Sequence, residues 1–153
     1  MSAPNDHLQV HGTAVAIDGR GVLIRGGSGS GKSDLGLRLI DGGARLIADD
    51  RTDLIRVGDG IEMRAPATID GVIEVRGLGL LRLGALERAP LCLVVDLAAP
   101  EAVERLPEAG FCEYLNLRVP LVPLAPFEAS AAAKVRLAVR LHGGDITGWD
   151  GAS

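Results

Sequence analysis

Aromatic side chains are almost missing from this 153-residue chain: two phenylalanines, one tyrosine and one tryptophan, 3% in all. That excludes a surface on which successive bases of a nucleic acid stack on ring after ring. Excess positive charge is missing as well. Sixteen basic against twenty acidic residues leave a formal net charge of −4, the wrong sign for broad nucleic-acid binding through phosphate neutralisation. No apolar run approaches the roughly 18 residues that span a bilayer, so no membrane association is expected. The opening Met1–Val10 has neither a basic region nor an apolar one, so it is not read as a signal peptide, and a cytoplasmic location is expected. Cysteine is scarce too. Cys92 and Cys112 are too few for a disulfide framework and are expected to be buried or partly exposed thiols. Hydrophobic residues at 47% and charged residues at 24% suit an ordinary globular protein. The length suits one domain, with an ordered core over 8–142 and a tail over 143–153. Two counts stand out. Glycine reaches 21, about twice the usual share, and only two lysines stand beside fourteen arginines. One of those lysines, Lys32, lies inside the densest glycine cluster.

No internal repeat is visible along the chain. Leu8–Ile17 alternates and is β-branched, which predicts a strand; Asp18-Gly19-Arg20-Gly21 is turn chemistry; Val22–Arg25 predicts a second strand closing a hairpin. After a glycine loop over Gly26–Gly31, the apolar residues Leu35, Leu37, Leu39 and Ile40 predict a helix from Lys32 that ends at Asp41-Gly42-Gly43. Arg45–Ala48 is a short strand running into Asp49-Asp50. Leu54–Val57 and Ile61–Arg64 flank Gly58-Asp59-Gly60, a second hairpin signal. Val72–Val75 is strand-like and Gly77–Gly84 a glycine-punctuated loop. Leu91–Leu97 is a continuous apolar strand, Glu101–Leu106 about one helical turn, Val119–Leu124 extended, and Phe127–His142 a second helix. Hairpins around one strand–loop–helix unit predict an α/β protein with a mixed sheet and helices mainly on one face.

Gly26-Gly27-Ser28-Gly29-Ser30-Gly31-Lys32-Ser33 matches G-x-x-x-x-G-K-[ST] at every fixed position, between a strand and a helix as the motif requires. A chain of this composition would show it by chance roughly 0.002 times. Glycines let backbone N–H groups turn inward around phosphate oxygens, and the helix N-terminus adds its dipole. Lys32 would reach the β- and γ-phosphates, and the Ser33 hydroxyl would ligate Mg²⁺. A phosphate-transfer site also needs a carboxylate near the metal and a base for the acceptor. Asp49-Asp50 is the leading pair. If the strand ending there runs in the direction of the strand entering the loop, both leave the sheet at its carboxyl edge, where ligands bind in α/β folds. Adjacent carboxylates project differently, so one would face the phosphates and the other would support it. Glu74, opposite its apolar strand neighbours, Asp96, at the end of a strand like that of a Walker B motif, and His11 remain open from the residues alone.

The arrangement resembles the catalytic domain of the HPr kinase/phosphorylase family. The likeness rests on His11-Gly12, the loop at Gly26–Ser33, Arg45-Leu46-Ile47-Ala48-Asp49-Asp50, and the Glu-x-Arg-Gly-x-Gly signature in Ile73-Glu74-Val75-Arg76-Gly77-Leu78-Gly79. It spans about residues 8–125. The resemblance implies a P-loop kinase fold of the PEP-carboxykinase-like type. The implied reaction is transfer of phosphate from Mg²⁺-ATP to a serine of the phosphocarrier protein HPr, reversed by phosphorolysis. It also implies the roles. Asp50 takes the serine proton, Lys32 and the loop from Gly26 through Ser33 (with Gly27, Ser28, Gly29, Ser30 and Gly31) hold the nucleotide, and Ser33 and Glu74 ligate Mg²⁺. His11 lies near the phosphates, Arg105 matches a downstream active-site arginine, and Asp49, Arg76, Gly77 and Gly79 support the site. On this comparison Asp96 is the end of a core strand. The family is hexameric, which makes a homo-oligomer the expectation.

Two departures are visible. The chain reads as a short form without the family's N-terminal domain. Where the family carries Pro-x-Arg-Pro-Gly-Arg, this chain has Pro123-Leu124-Ala125-Pro126-Phe127-Glu128, with both arginines replaced. Kinase activity with weak or absent phosphorylase activity is therefore expected. The alternatives are a small-molecule P-loop kinase, for which no compact arginine lid is evident, and a nucleotide-responsive regulatory module that transfers nothing. A GTPase is disfavoured because neither Asn5 nor Asn116 is followed by lysine, so the Asn-Lys-x-Asp base-reading motif is absent.

Overall fold

The computed structural model describes residues 6–66 and 71–149. The N-terminal alternating stretch is two strands rather than one, β1 (His7–His11) and β2 (Thr13–Ile17). The break falls at Gly12, which packing keeps free of a side chain: a Cβ would come within 2.8 and 2.9 Å of the Leu23 side chain and the Ile24 carbonyl. The predicted hairpin forms between β2 and β3 (Arg20–Arg25), turning on Asp18 and Gly19 at φ 51° and 78°, the primed geometry that suits strand twist. Helix α1 covers Lys32–Asp41 as read from the sequence. Then come β4 (Arg45–Ala48), β5 (Arg51–Val57) and β6 (Gly60–Arg64), the last two forming the second predicted hairpin.

The later half departs more from expectation. β7 (Val72–Val75) is followed by a strand, β8 (Gly79–Arg82), inside the stretch read as a loop. β9 (Arg88–Leu97) is longer than its apolar run. The expected turn of helix at 101–106 shrinks to a 3₁₀ turn at Pro100–Ala102. β10 (Gly110–Tyr114) precedes β11 (Leu117–Leu124), and helix α2 starts at Ala131 rather than Phe127, ending at His142. The late start has a cause: the carbonyls of Pro126 and Glu128 face the Arg38 guanidinium of α1, which donates to both.

The sheet order is β1-β5-β6-β9-β3-β2-β4, with β11 also on β9 and β10 on β11. β3, β9 and β11 are parallel. β2 is antiparallel to both β3 and β4, so β4 points the same way as β3, and the chain leaves both at one edge of the sheet. Alternate residues serve two cores. Val15, Val22, Ile24, Leu93 and Val95 face Leu35 and Leu39 of α1 and Val135 and Val139 of α2. Leu23, Val94, Ile47, Leu54 and Met63 fill the opposite, strand-only face. Both helices thus lie on one face, as the mixed α/β pattern predicted. β7 and β8 form a separate two-stranded sheet. Ile73 and Val75 bury against Leu46 of β4, with Leu37 and Ile40 of α1 beside them, so the hairpin rests over the helix that follows the phosphate loop.

Both thiols are free and half-buried, and burial pushes each above the usual cysteine range. Of the stretch read as a tail, residues 143–149 are described. Asp145 pairs with Arg20 at 2.7 and 3.1 Å, which holds its carboxyl below the ordinary range. Among the described residues no helix is long and apolar enough to cross a membrane.

Candidate active site

The glycine loop leaves β3 and enters α1 through Gly31, whose φ of 103° lies in the left-handed region and whose Cβ position lies 3.0 Å from the Phe127 ring. No side chain caps the helix, so the first N–H groups of α1 stay available to a ligand. Lys32 Nζ donates to the carbonyls of Gly26 and Gly27, both at 2.9 Å, folding its ammonium back over the loop.

The sheet edge delivers the carboxylates. Asp49, at the end of β4, is 7% exposed and takes three hydrogen bonds. Thr13 Oγ1 and Ser33 Oγ donate to Oδ1 at 2.9 and 2.7 Å, and the Glu74 backbone N–H donates to Oδ2 at 3.1 Å. One buried side chain therefore ties β2, the P-loop helix and the signature hairpin together. Because the Ser33 proton is spent on Asp49, the oxygen's lone pairs remain for a cation. Thr13 was not singled out from the sequence; its only signal is its place after Gly12 at the strand break.

Asp50 is exposed and sits at φ 68°, a conformation uncommon for a side-chain-bearing residue and more readily taken by Asp and Asn than by most. Its carbonyl accepts from the Gly12 N–H at 2.8 Å, and the Arg51 N–H donates to the Asp49 carbonyl at 2.8 Å. The kink between Asp49 and Asp50 thus turns one carboxylate inward and the other out. β1 runs alongside with His11 opposite Arg51 in register. On the far side Glu74 points outward between buried Ile73 and Val75, and Arg76-Gly77-Leu78 makes the hairpin turn, with Gly77 at φ 91° and Gly79 pairing with Val75.

These residues line one cleft of about 700 Å³: His11, Lys32, Ser33, Asp50, Glu74 and Arg76, with Gly26, Ser28, Gly29 and Gly31 of the loop. Ser30 is not among them and lines a neighbouring cavity instead. Arg105 is not brought in. It is exposed on the connection between the 3₁₀ turn and β10 and is not among the described residues lining the cleft.

Asp96 has a different partner. Arg25 donates to it in a two-pronged pair at 2.6 and 2.7 Å and to the Tyr114 hydroxyl at 2.7 Å. The Arg25 pKa is raised, chiefly by the hydrogen bond to Asp96. This pair bridges the parallel β3 and β9 just before the phosphate loop and engages the carboxylate that a Walker B reading would give to the metal. Asp96→Asn should lower unfolding free energy by about 1–2 kcal/mol, a value discounted for the pair's partial exposure. The Mg²⁺ dependence of nucleotide binding should be unchanged; an altered Mg²⁺ dependence in titrations would return Asp96 to the metal.

The HPr Serine kinase C-terminal domain family matches residues 4–124, a span that includes the loop, both aspartates and the signature hairpin. The chain belongs to that family. Among curated relatives named HPr kinase/phosphorylase, the Cupriavidus metallidurans protein is 41% identical over 135 residues, covering 81% of this chain and 41% of its own length. The Acidovorax sp. protein is 44% identical over 108 residues, covering 65% of this chain and 34% of its own length. The chain thus spans about two-fifths of the first of these relatives. Among solved structures, the Hpr(Ser) kinase/phosphatase from Coxiella burnetii superposes with a TM-score of 0.80 at 26% identity, covering 90% of this chain and 97% of that one. The α/β P-loop kinase fold read from the sequence is therefore the fold found. The family resemblance also explains the presence of the Glu74 signature beside a loop motif that many ATPases share.

Proposed function

We propose that this chain transfers the terminal phosphate of ATP to a serine of the phosphocarrier protein HPr, and that phosphorolysis is weak or absent. The observation that carries the reading is the convergence of a complete P-loop, an outward-facing aspartate and an outward-facing glutamate in one cleft. The residues also fit Mg²⁺. The donors are hard oxygens: the Ser33 hydroxyl, its proton already engaged by Asp49, and the Glu74 carboxylate. Among the described residues no three His, Cys, Asp or Glu side chains form a ready-made cage, and Mg²⁺ held by a hydroxyl, one carboxylate and nucleotide phosphates does not require one. When bound there, the ion would supply positive charge to offset that of the phosphates.

The chain's own residues do the rest. A serine hydroxyl is a poor nucleophile until its proton has somewhere to go, and the Asp50 carboxylate stands at the cleft to accept it. As the serine oxygen bonds to the γ-phosphorus, the bond from phosphorus to the β–γ bridging oxygen breaks and ADP carries away the charge. Lys32, the loop amides and the helix N-terminus face that charge.

Radiolabelled ATP, Mg²⁺ and purified HPr provide the test. Label on a serine of HPr supports the kinase. Nucleotide binding without transfer would favour a regulatory module, a reading encouraged by the arginine-free Pro123–Glu128 segment. Rapid pyrophosphate release from phosphorylated HPr and inorganic phosphate would overturn the expectation about the reverse reaction.

A further inference from the structure

A second cavity, of about 420 Å³, lies on the other flank of the phosphate loop, within the about 300–1,000 Å³ usual for small-ligand pockets. Ser30 of the loop, Leu97, Ala98, Ala99 and Pro100 after β9, and Ala125–Glu128 after β11 surround it. Phe127 lines both this cavity and the polar cleft. It is 74% exposed, which leaves its ring edge against Gly31 and a face free.

We propose that this cavity takes the purine base of the bound nucleoside triphosphate, stacked on Phe127, and that it accepts adenine and guanine nearly equally. The inference rests on the nucleotide reading given above and extends it to the base. The first part follows from the two flanks of the loop. Every group suited to the terminal phosphate, the metal or the acceptor hydroxyl (Ser33, Asp50, Glu74, Arg76 and His11) lies on the β4 and hairpin side. A triphosphate laid across the loop with its γ end among them sends its nucleoside end toward β9 and β11. The wall it meets there is apolar and continuous with the cleft through Phe127.

The second part follows from the apolar side chains of the wall and from the partners that many of its polar groups already have. The Ala98 N–H donates to the Leu124 carbonyl, the carbonyls of Ala99 and Pro100 accept from Ala102 and Val103, and those of Pro126 and Glu128 accept from Arg38. The Glu128 carboxylate is paired with Lys134 at 2.7 Å. Of the two polar side chains at its wall, Glu128 is thus engaged, and the Ser30 hydroxyl is buried against Gly26 rather than offered to the cavity. A site that reads a base edge needs matched donors and acceptors, whereas an apolar slot discriminates weakly between bases of one shape.

Equilibrium binding of Mg²⁺-ATP, Mg²⁺-GTP and Mg²⁺-tripolyphosphate tests this, since the last carries the phosphates without the nucleoside. Expected are ATP and GTP within about threefold of one another, each at least tenfold tighter than tripolyphosphate. Phe127→Ala should weaken both nucleotides about tenfold and leave tripolyphosphate unchanged, while Phe127→Tyr keeps nucleotide affinity. Tripolyphosphate binding as tightly as ATP would overturn the base site while leaving the phosphate site standing. So would a hundredfold preference for one purine, or an equal loss of all three ligands in Phe127→Ala. Wild-type protein that binds none of the three, or tripolyphosphate binding that survives Lys32→Ala, would overturn the phosphate site and this inference together.

Discussion

Asp50→Asn should lower serine phosphorylation of HPr by about 10²–10⁴-fold and leave nucleotide affinity close to wild type. The substitution removes one capability and keeps the rest. Asparagine has nearly the same shape and tolerates the left-handed backbone at φ 68° as readily as aspartate does. The Gly12 N–H to Asp50 carbonyl bond at 2.8 Å involves main chain only and survives. The side chain is exposed, so no buried partner is orphaned. What asparagine cannot do is accept the serine proton. Single-turnover transfer measured beside nucleotide binding separates the two effects. A variant retaining a tenth of the wild-type transfer rate would remove Asp50 from the role of base.

Asp49→Ala should act through a different route, with a loss of about 2–3 kcal/mol in stability and of about 10–100-fold in Mg²⁺-dependent nucleotide affinity. Three donors converge on this 7%-exposed carboxylate. Removing it strands the Thr13 hydroxyl in a fully buried setting and frees the Ser33 hydroxyl to rotate away from the orientation that offers its lone pairs to a cation. Asp49→Asn distinguishes charge from geometry. Its oxygen can still accept from Thr13 and Ser33, but its amide nitrogen would face the Glu74 N–H, donor against donor. With Ser33 still held and only the Glu74 backbone pushed away, part of both the affinity and the stability should therefore return. Denaturant melts and Mg²⁺ titrations read the two quantities separately; unchanged Mg²⁺ dependence in both variants would show that Asp49 does not position Ser33.

The parts of this molecule legible in its sequence are those where the signal is local. The loop motif, the helix from Lys32 to the Gly42-Gly43 cap and the turn at Asp18-Gly19 each specify themselves within a few residues. Asp49-Asp50 was legible as a pair because β4 and β3 point the same way, although the division of labour depends on a backbone kink that composition does not announce. Other features are set by partners distant in sequence. Gly12 must be glycine because of Leu23 and Ile24. β10 escaped notice because its turn to β11 places Leu115 and Asn116 at φ 51° and 64°, and leucine gives no turn signal there. β8 is a strand only because β7 pairs with it. Arg25 and Asp96 meet across parallel strands, 71 positions apart, beyond the reach of any pattern. Arg105 was assigned through family likeness across an irregular connection, and the fold does not bring it to the cleft.

The separate β7–β8 sheet gives the two sides of the cleft unequal cooperative standing. β3 lies between β9 and β2 in the large sheet, so its amides are expected to exchange with solvent only when the whole molecule unfolds. The hairpin carrying Glu74 and Arg76 is held by a small cluster around Leu46, Ile73 and Val75 and by one backbone bond to Asp49. It can open as a unit of its own, at a lower free energy than the core. A ligand touching both Ser33 and Glu74 then protects the hairpin far more than the strands beneath the loop. Occupancy of the site is in that sense written into the local unfolding of one short element.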